Sequence, residues 1–160
     1  MTCAALVGML LLVAVPCAYA QQNAPPAVGD QDLQLLRKDL RSMKKQIVAA
    51  NMQLTEAEST KFWPVYDQYT AETTKLYDTR YGVIKDYAAN FGSLTDAQAQ
   101  SLAKRSNEVD AAVVQLRNKY LPLFDNVIGG KKTALFFQID RRLALMIDLQ
   151  LASEIPLVQP

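Results

Sequence analysis

An all-α fold is predicted from three features of the sequence. Phe62, Tyr66, Tyr69, Tyr77, Tyr81 and Tyr87 recur with Leu76 and Ile84 at three- and four-residue steps, bridged by Thr73, which lines one stripe of a long helix. Thr55 with Glu58 and Thr95 with Gln98 form capping boxes, each at the head of a long amphipathic segment. A last segment, residues 131–153, is apolar around most of its circumference. The expected architecture is a long, bent antiparallel hairpin, made by the second and third helices. It packs with an N-terminal helix and an apolar C-terminal helix.

Residues 1–20 read as an export signal. Residues 4–15 form an apolar core too short to span a membrane comfortably, and Ala18-Tyr19-Ala20 is a small-x-small cleavage site. Cleavage after Ala20 and retention as an anchor are both open; no Lys or Arg precedes the apolar core, and Pro16 fits poorly before a lipidated Cys17. Residues 21–29, with Pro25, Pro26 and Gly29, form a flexible leader. Residues 30–160 are then a single all-α domain.

Asp30 is the expected N-cap of the first helix, which runs to about Asn51 with Leu33, Leu36, Leu40, Met43 and Ile47 as its stripe. Its other face carries Arg37, Lys38, Arg41, Lys44 and Lys45 against Asp32 and Asp39. That face is either a solvated surface or a docking face for an acidic client or partner. The second helix, residues 54–91, spans on the order of 50 Å. Pro64 removes an N–H from it and crowds the Thr60 carbonyl, so a bend is expected there. Trp63 stands beside the aromatic stripe, as a packing residue or as an anchor for a partner.

The third helix carries Leu102, Val109, Val113, Leu116, Tyr120, Leu123 and Val127 to a stop at Gly129-Gly130. Its Pro122 is as far beyond Ser93 in the turn as Pro64 is before it, so both prolines are expected at one level of the hairpin. The fourth helix shows Leu135, Phe136, Phe137, Ile139, Leu143, Leu145, Met146, Ile147, Leu149 and Leu151, interrupted by Asp140, Arg141, Arg142 and Asp148. Such a coat is expected to be buried on several sides, against the other helices, in a homodimer interface, or both.

Composition excludes much chemistry. With Cys3 and Cys17 inside the export signal and no His, nucleophilic triads, Glu-x-x-His di-iron sites and His/Cys zinc sites are not available to the mature chain. Gly129-Gly130-Lys131-Lys132 lacks the rest of a phosphate loop. Glu56 with Glu58, and Asp67 with Glu72, do not converge on one helical face and read as solvated carboxylates. No enzyme, cofactor or metal site is expected. The 17 basic and 16 acidic residues give no pull toward nucleic acid. The spread charges of the last helix argue against membrane association beyond the export signal.

Leu94-Thr95-Asp96-Ala97-Gln98 resembles the Leu-Thr-x-x-Gln motif of the Spy/CpxP-like periplasmic proteins, and Leu54-Thr55-Glu56-Ala57-Glu58 is similar to a second copy with Glu in the last place. Phe62-Trp63-Pro64-Val65-Tyr66 and Phe136-Phe137-Gln138-Ile139 resemble exported helical proteins grouped near that family. The resemblance implies a curved hairpin that dimerises into a cradle and holds unfolding clients through apolar patches and basic residues. The expected function is therefore a periplasmic or secreted, non-enzymatic chaperone-like or stress-adaptor protein. Its client surface would be Arg37, Lys38, Arg41, Lys44, Lys45 and Trp63. The alternative is a structural or interaction subunit that binds one specific envelope partner through its C-terminal helix.

Overall fold

The computed structural model describes residues 42–158, apart from the side chain of Glu154, and these belong to one compact unit, Leu40–Pro160. The segments predicted as export signal and leader, and the first part of the predicted N-terminal helix, lie outside the described residues. What is described is all-α, with no strand. Residues 42–52 form α1, and Glu56–Asn90 forms α2. A 3-10 turn, Phe91–Ser93, leads to a helical run over Asp96–Glu154. That run is two helices, because Gly129 has φ 74° and ψ 161°. Only glycine adopts that region readily. We name residues 96–128 α3 and residues 130–154 α4.

Both expected capping boxes are present. The Glu58 N–H donates to Thr55 Oγ1 while the Thr55 N–H donates to Glu58 Oε2 at 2.8 Å, and Thr95 with Gln98 repeats the exchange. Each box satisfies N–H groups that the first helical turn leaves without partners. The boxes therefore set where α2 and α3 start.

α2 and α3 pack as an antiparallel hairpin. Asp86 meets Arg105 at 2.7 Å, Arg80 pairs with Asp110, and Glu72 meets Lys119 at 2.7 Å. Further from the turn Phe62 meets Phe124, ring centroids 5.4 Å apart. Each proline lies two residues from its member of that pair toward the turn, so Pro64 and Pro122 stand at one level, inside their helices rather than at frayed ends.

At Gly129 the chain doubles back, and α4 lies in the groove of the hairpin, antiparallel to α3. Its contacts with α2 advance in step: Lys132 with Glu58, Phe136 with Phe62 and Tyr66, Asp140 with Tyr69, Asp148 with Arg80. The core joins Val48 and Met52 of α1 with Phe62, Tyr66 and Tyr69 of α2, Leu116, Tyr120, Phe124 and Ile128 of α3, and Phe136 of α4. On α3 the buried stripe runs Leu116, Tyr120, Phe124, Ile128 in four-residue steps. Leu123, expected inside, is 42 % exposed. The four-residue step after Tyr120 carries the chain to Phe124, and the larger ring takes the inward position.

Of the coverings expected for α4, the other helices supply one side. Thr133, Phe136, Asp140 and Ala144 form its buried face, whereas Leu145, Met146 and Leu149 are exposed on the opposite one. The reason is geometric. A helix seated in the groove of one hairpin presents one face to it, and the rest of its circumference points away.

Candidate protein-binding surface

The residues predicted to bind a client divide by position. Arg37, Lys38 and Arg41 lie outside the described residues. Lys44, Lys45 and Trp63 are described, and each is engaged within the fold. Lys45 Nζ donates to Asp67 Oδ1 at 2.7 Å and stands over the rings of Trp63, at 5.2 Å, and Tyr66, at 5.7 Å. Trp63 is half-buried and meets Phe62 and Tyr66 edge to face. Cation and indole thus form one small surface on α1 and α2.

Lys44 turns inward. Its Nζ lies 2.5 Å from Oδ1 of Asp140, a residue only 2 % exposed. The Tyr69 hydroxyl donates to Asp140 Oδ2 at 2.9 Å, and Arg117 Nε lies 3.4 Å from the same oxygen. One α4 carboxylate therefore touches a side chain from each of α1, α2 and α3. An isolated charge here would be costly; two cations and a phenol make it tolerable. Burial, and then the adjacent Asp140 charge, push the Tyr69 hydroxyl far above its ordinary pKa, and Tyr77 is raised by the same causes in the same order. These phenols stay neutral, and Tyr69 serves as a hydrogen-bond donor. The cluster fixes α4 in its groove, and its carboxylate is closed off from solvent.

Of the carboxylates singled out in the sequence, Glu58, Asp67 and Glu72 act between helices. Glu58 accepts from Lys132 at 2.6 Å, Asp67 pairs with Lys45, and Glu72 accepts from Lys119 and from the Tyr120 hydroxyl. Among the described residues no group of three or more His, Cys, Asp and Glu side chains is placed to hold a metal ion, and no described helix is long and apolar enough to cross a membrane.

The outer face of α4 is apolar and exposed. Leu145 is 52 %, Met146 68 % and Leu149 73 % exposed. Leu157 and Val158 of the tail are exposed as well, and the tail is tethered to α2 because the Tyr87 hydroxyl donates to the Pro156 carbonyl at 2.8 Å. Arg142, between Leu135 and Leu149 on this face, is exposed too. Large exposed apolar patches are the usual material of interaction sites. Sequence reasoning found this coat but missed Asp140 as its anchor. The signal was there: Asp140 stands four residues after Phe136 and four before Ala144, on the inward stripe. Comparison with protein-family models, with curated proteins and with solved structures finds no match.

Proposed function

We propose that this chain is a non-enzymatic protein-binding module of the cell envelope, chaperone-like or a stress adaptor, that holds apolar segments of other proteins on the outer face of α4. The observation that carries this reading is the exposure of Leu145, Met146 and Leu149 on a helix whose opposite face is locked by Asp140. Burying such side chains on a client releases about 25 cal/mol for each Å² removed from water. Methionine adapts to varied partners, which suits a surface that meets many sequences. Export, and kinship with the Spy/CpxP-like proteins, are parts of the proposal supported by residues 1–20 and by the Leu94-to-Gln98 motif.

The test is suppression of aggregation. Purified protein at a stoichiometric ratio slows light scattering from a chemically denatured client, and Leu149→Glu with Met146→Glu abolishes the effect while the helical circular dichroism is kept. Wild-type protein that leaves aggregation unchanged removes the chaperone reading. A second reading is binding of one specific partner through α4, favoured by the rigid seating of that helix on Lys44, Tyr69 and Arg117. A pre-organised face suits one complementary surface better than many. That reading expects saturable, stoichiometric binding of a single envelope protein, lost in the same variant, and no general protection of clients.

A further inference from the structure

Between α3 and α4, on the side away from α2, lies a groove of about 500 Å³ lined by Arg117, Leu121, Asp125, Thr133, Phe137 and Arg141, among others. That volume falls within the range of small-molecule sites. The antiparallel helices arrange its lining in order. At one end Arg117 lies against Asp140, beside which Arg141 follows in the chain. At the other end Asp125 approaches Gly130, where an added Cβ would stand 3.4 Å from Asp125 Oδ1. Residues 117 and 125 are separated by roughly 12 Å along α3. Leu121, Ala134 and Phe137 lie between the ends.

The basic end carries net positive charge: Lys44, Arg117 and Arg141 stand against the single carboxylate of Asp140. Asp140 is shared between Lys44 at 2.5 Å and Arg117 at 3.4 Å. Arg141 has no ion pair among the described residues and is exposed. The floor holds an unused donor as well. Thr133 is 3 % exposed and its Oγ1 has no partner. Thr60, Thr73, Thr74 and Thr79 each donate to the carbonyl four residues earlier. For Thr133 that carbonyl belongs to Gly129, whose ψ of 161° turns it out of the helix.

We propose that this groove binds a monocarboxylate with an aliphatic tail, its carboxylate between Arg117 and Arg141 and its tail along Leu121, Ala134 and Phe137. Arginine favours carboxylates through charge-assisted, two-pronged hydrogen bonds. Asp125 at the far end disfavours a second carboxylate there. The site is separate from the outer face of α4.

Isothermal titration of the purified protein with decanoate, decanol and decanedioate tests the assignment. Decanoate binds saturably at one site, and decanol binds roughly tenfold or more weakly, as loss of a charge-assisted hydrogen bond demands. Decanedioate also binds more weakly than decanoate, and Asp125→Asn restores it. Arg141→Gln brings decanoate down to the level of decanol, while Leu149→Glu leaves decanoate binding intact. Decanol as tight as decanoate, decanedioate as tight as decanoate, an unaffected Arg141→Gln protein, loss of binding in Leu149→Glu, or no saturable decanoate binding would each overturn the proposal.

Discussion

The two ends of the hairpin are built from different materials. At the end away from the turn, rings from α2, α3 and α4 interlock: Phe124 and Phe136 are 4.4 Å apart between centroids, and Phe62, Tyr66 and Tyr69 all meet Phe136. Toward the 3-10 turn, the buried apolar side chains are Val83, Val109 and Val113, and contact is completed by Arg80 with Asp110 and Asp148 and by Arg105 with Asp86. Large rings remove far more apolar surface from water than valines do. Solvent-exposed ion pairs contribute little. One end of the molecule is held by volume and the other mainly by charge and hydrogen bonds. The exposed Leu145, Met146 and Leu149 belong to the second end, beyond the Asp140 cluster that anchors α4.

The sharpest way to break this contrast is to remove one side chain from each end. Phe136 is fully buried, and Phe136→Ala is expected to lose about 3–5 kcal/mol in urea denaturation, through lost transfer energy and the cavity left behind. Val83→Ala near the turn should lose about 1.5 kcal/mol. Equal losses would mean that the ends are equally packed. Asp140→Asn comes next. The substitution keeps an acceptor for Tyr69 but leaves Lys44 and Arg117 without their counter-charge, at a cost on the order of 3 kcal/mol. If Asp140→Asn proves neutral in the same titration, the cluster does not hold α4 in place.

Arg80 tests the other end. It reaches both Asp110 of α3 and Asp148 of α4, with its side chain 24 % exposed. Arg80→Met should lose about 1 kcal/mol, because the carboxylates of Asp110 and Asp148 are 60 % and 39 % exposed. Its local effect should be larger than its global one. Amide hydrogen exchange of α4 residues 145–153 should quicken in Arg80→Met, while exchange of residues 132–140 stays as in the parent protein. Uniform acceleration along α4 would show that the helix opens as one unit.

What could be read from the sequence follows the range of the interactions involved. Capping boxes are local, and Thr55 and Thr95 announce their helices within four residues. The aromatic stripe is periodic, so Phe62, Tyr66 and Tyr69 could be assigned to the core. Periodicity fails where two neighbouring residues are both apolar: Leu123 and Phe124 compete for one inward position, and only the opposing Phe62 and Phe136 decide between them. The Lys44 and Lys45 pattern showed a basic face. Their partners Asp140 and Asp67 are distant in sequence, so that half of the face is spent on contacts inside the fold. The apolar coat of α4 was visible, but how much of it is covered depends on how deep a groove the hairpin offers.

The smallest effects are expected from titration, and they distinguish the cap of α2 from the ring cluster beside it. Glu58 is held down from 4.5 to about 2, first by the hydrogen bond from Lys132 and then by the Thr55 N–H. Its carboxylate is thus more acidic in the folded state, and the unfolded chain binds the extra proton. Its contribution is complete above pH 4.5 and is lost as pH falls toward 2. Glu58→Gln keeps an acceptor for both donors, so it should flatten the decline of stability in that window without changing the alkaline limb. Tyr66 and Tyr120 move the other way, from 10.0 to about 12, chiefly through burial. Their neutral forms are favoured by folding, so this stabilisation is present below pH 10 and is lost as pH rises toward 12. Tyr66→Phe should delay alkaline unfolding, followed by far-ultraviolet circular dichroism, and leave the acid limb untouched. Should Glu58→Gln alter the alkaline limb, or Tyr66→Phe the acid limb, cap and rings would be one coupled unit rather than adjacent, independent supports.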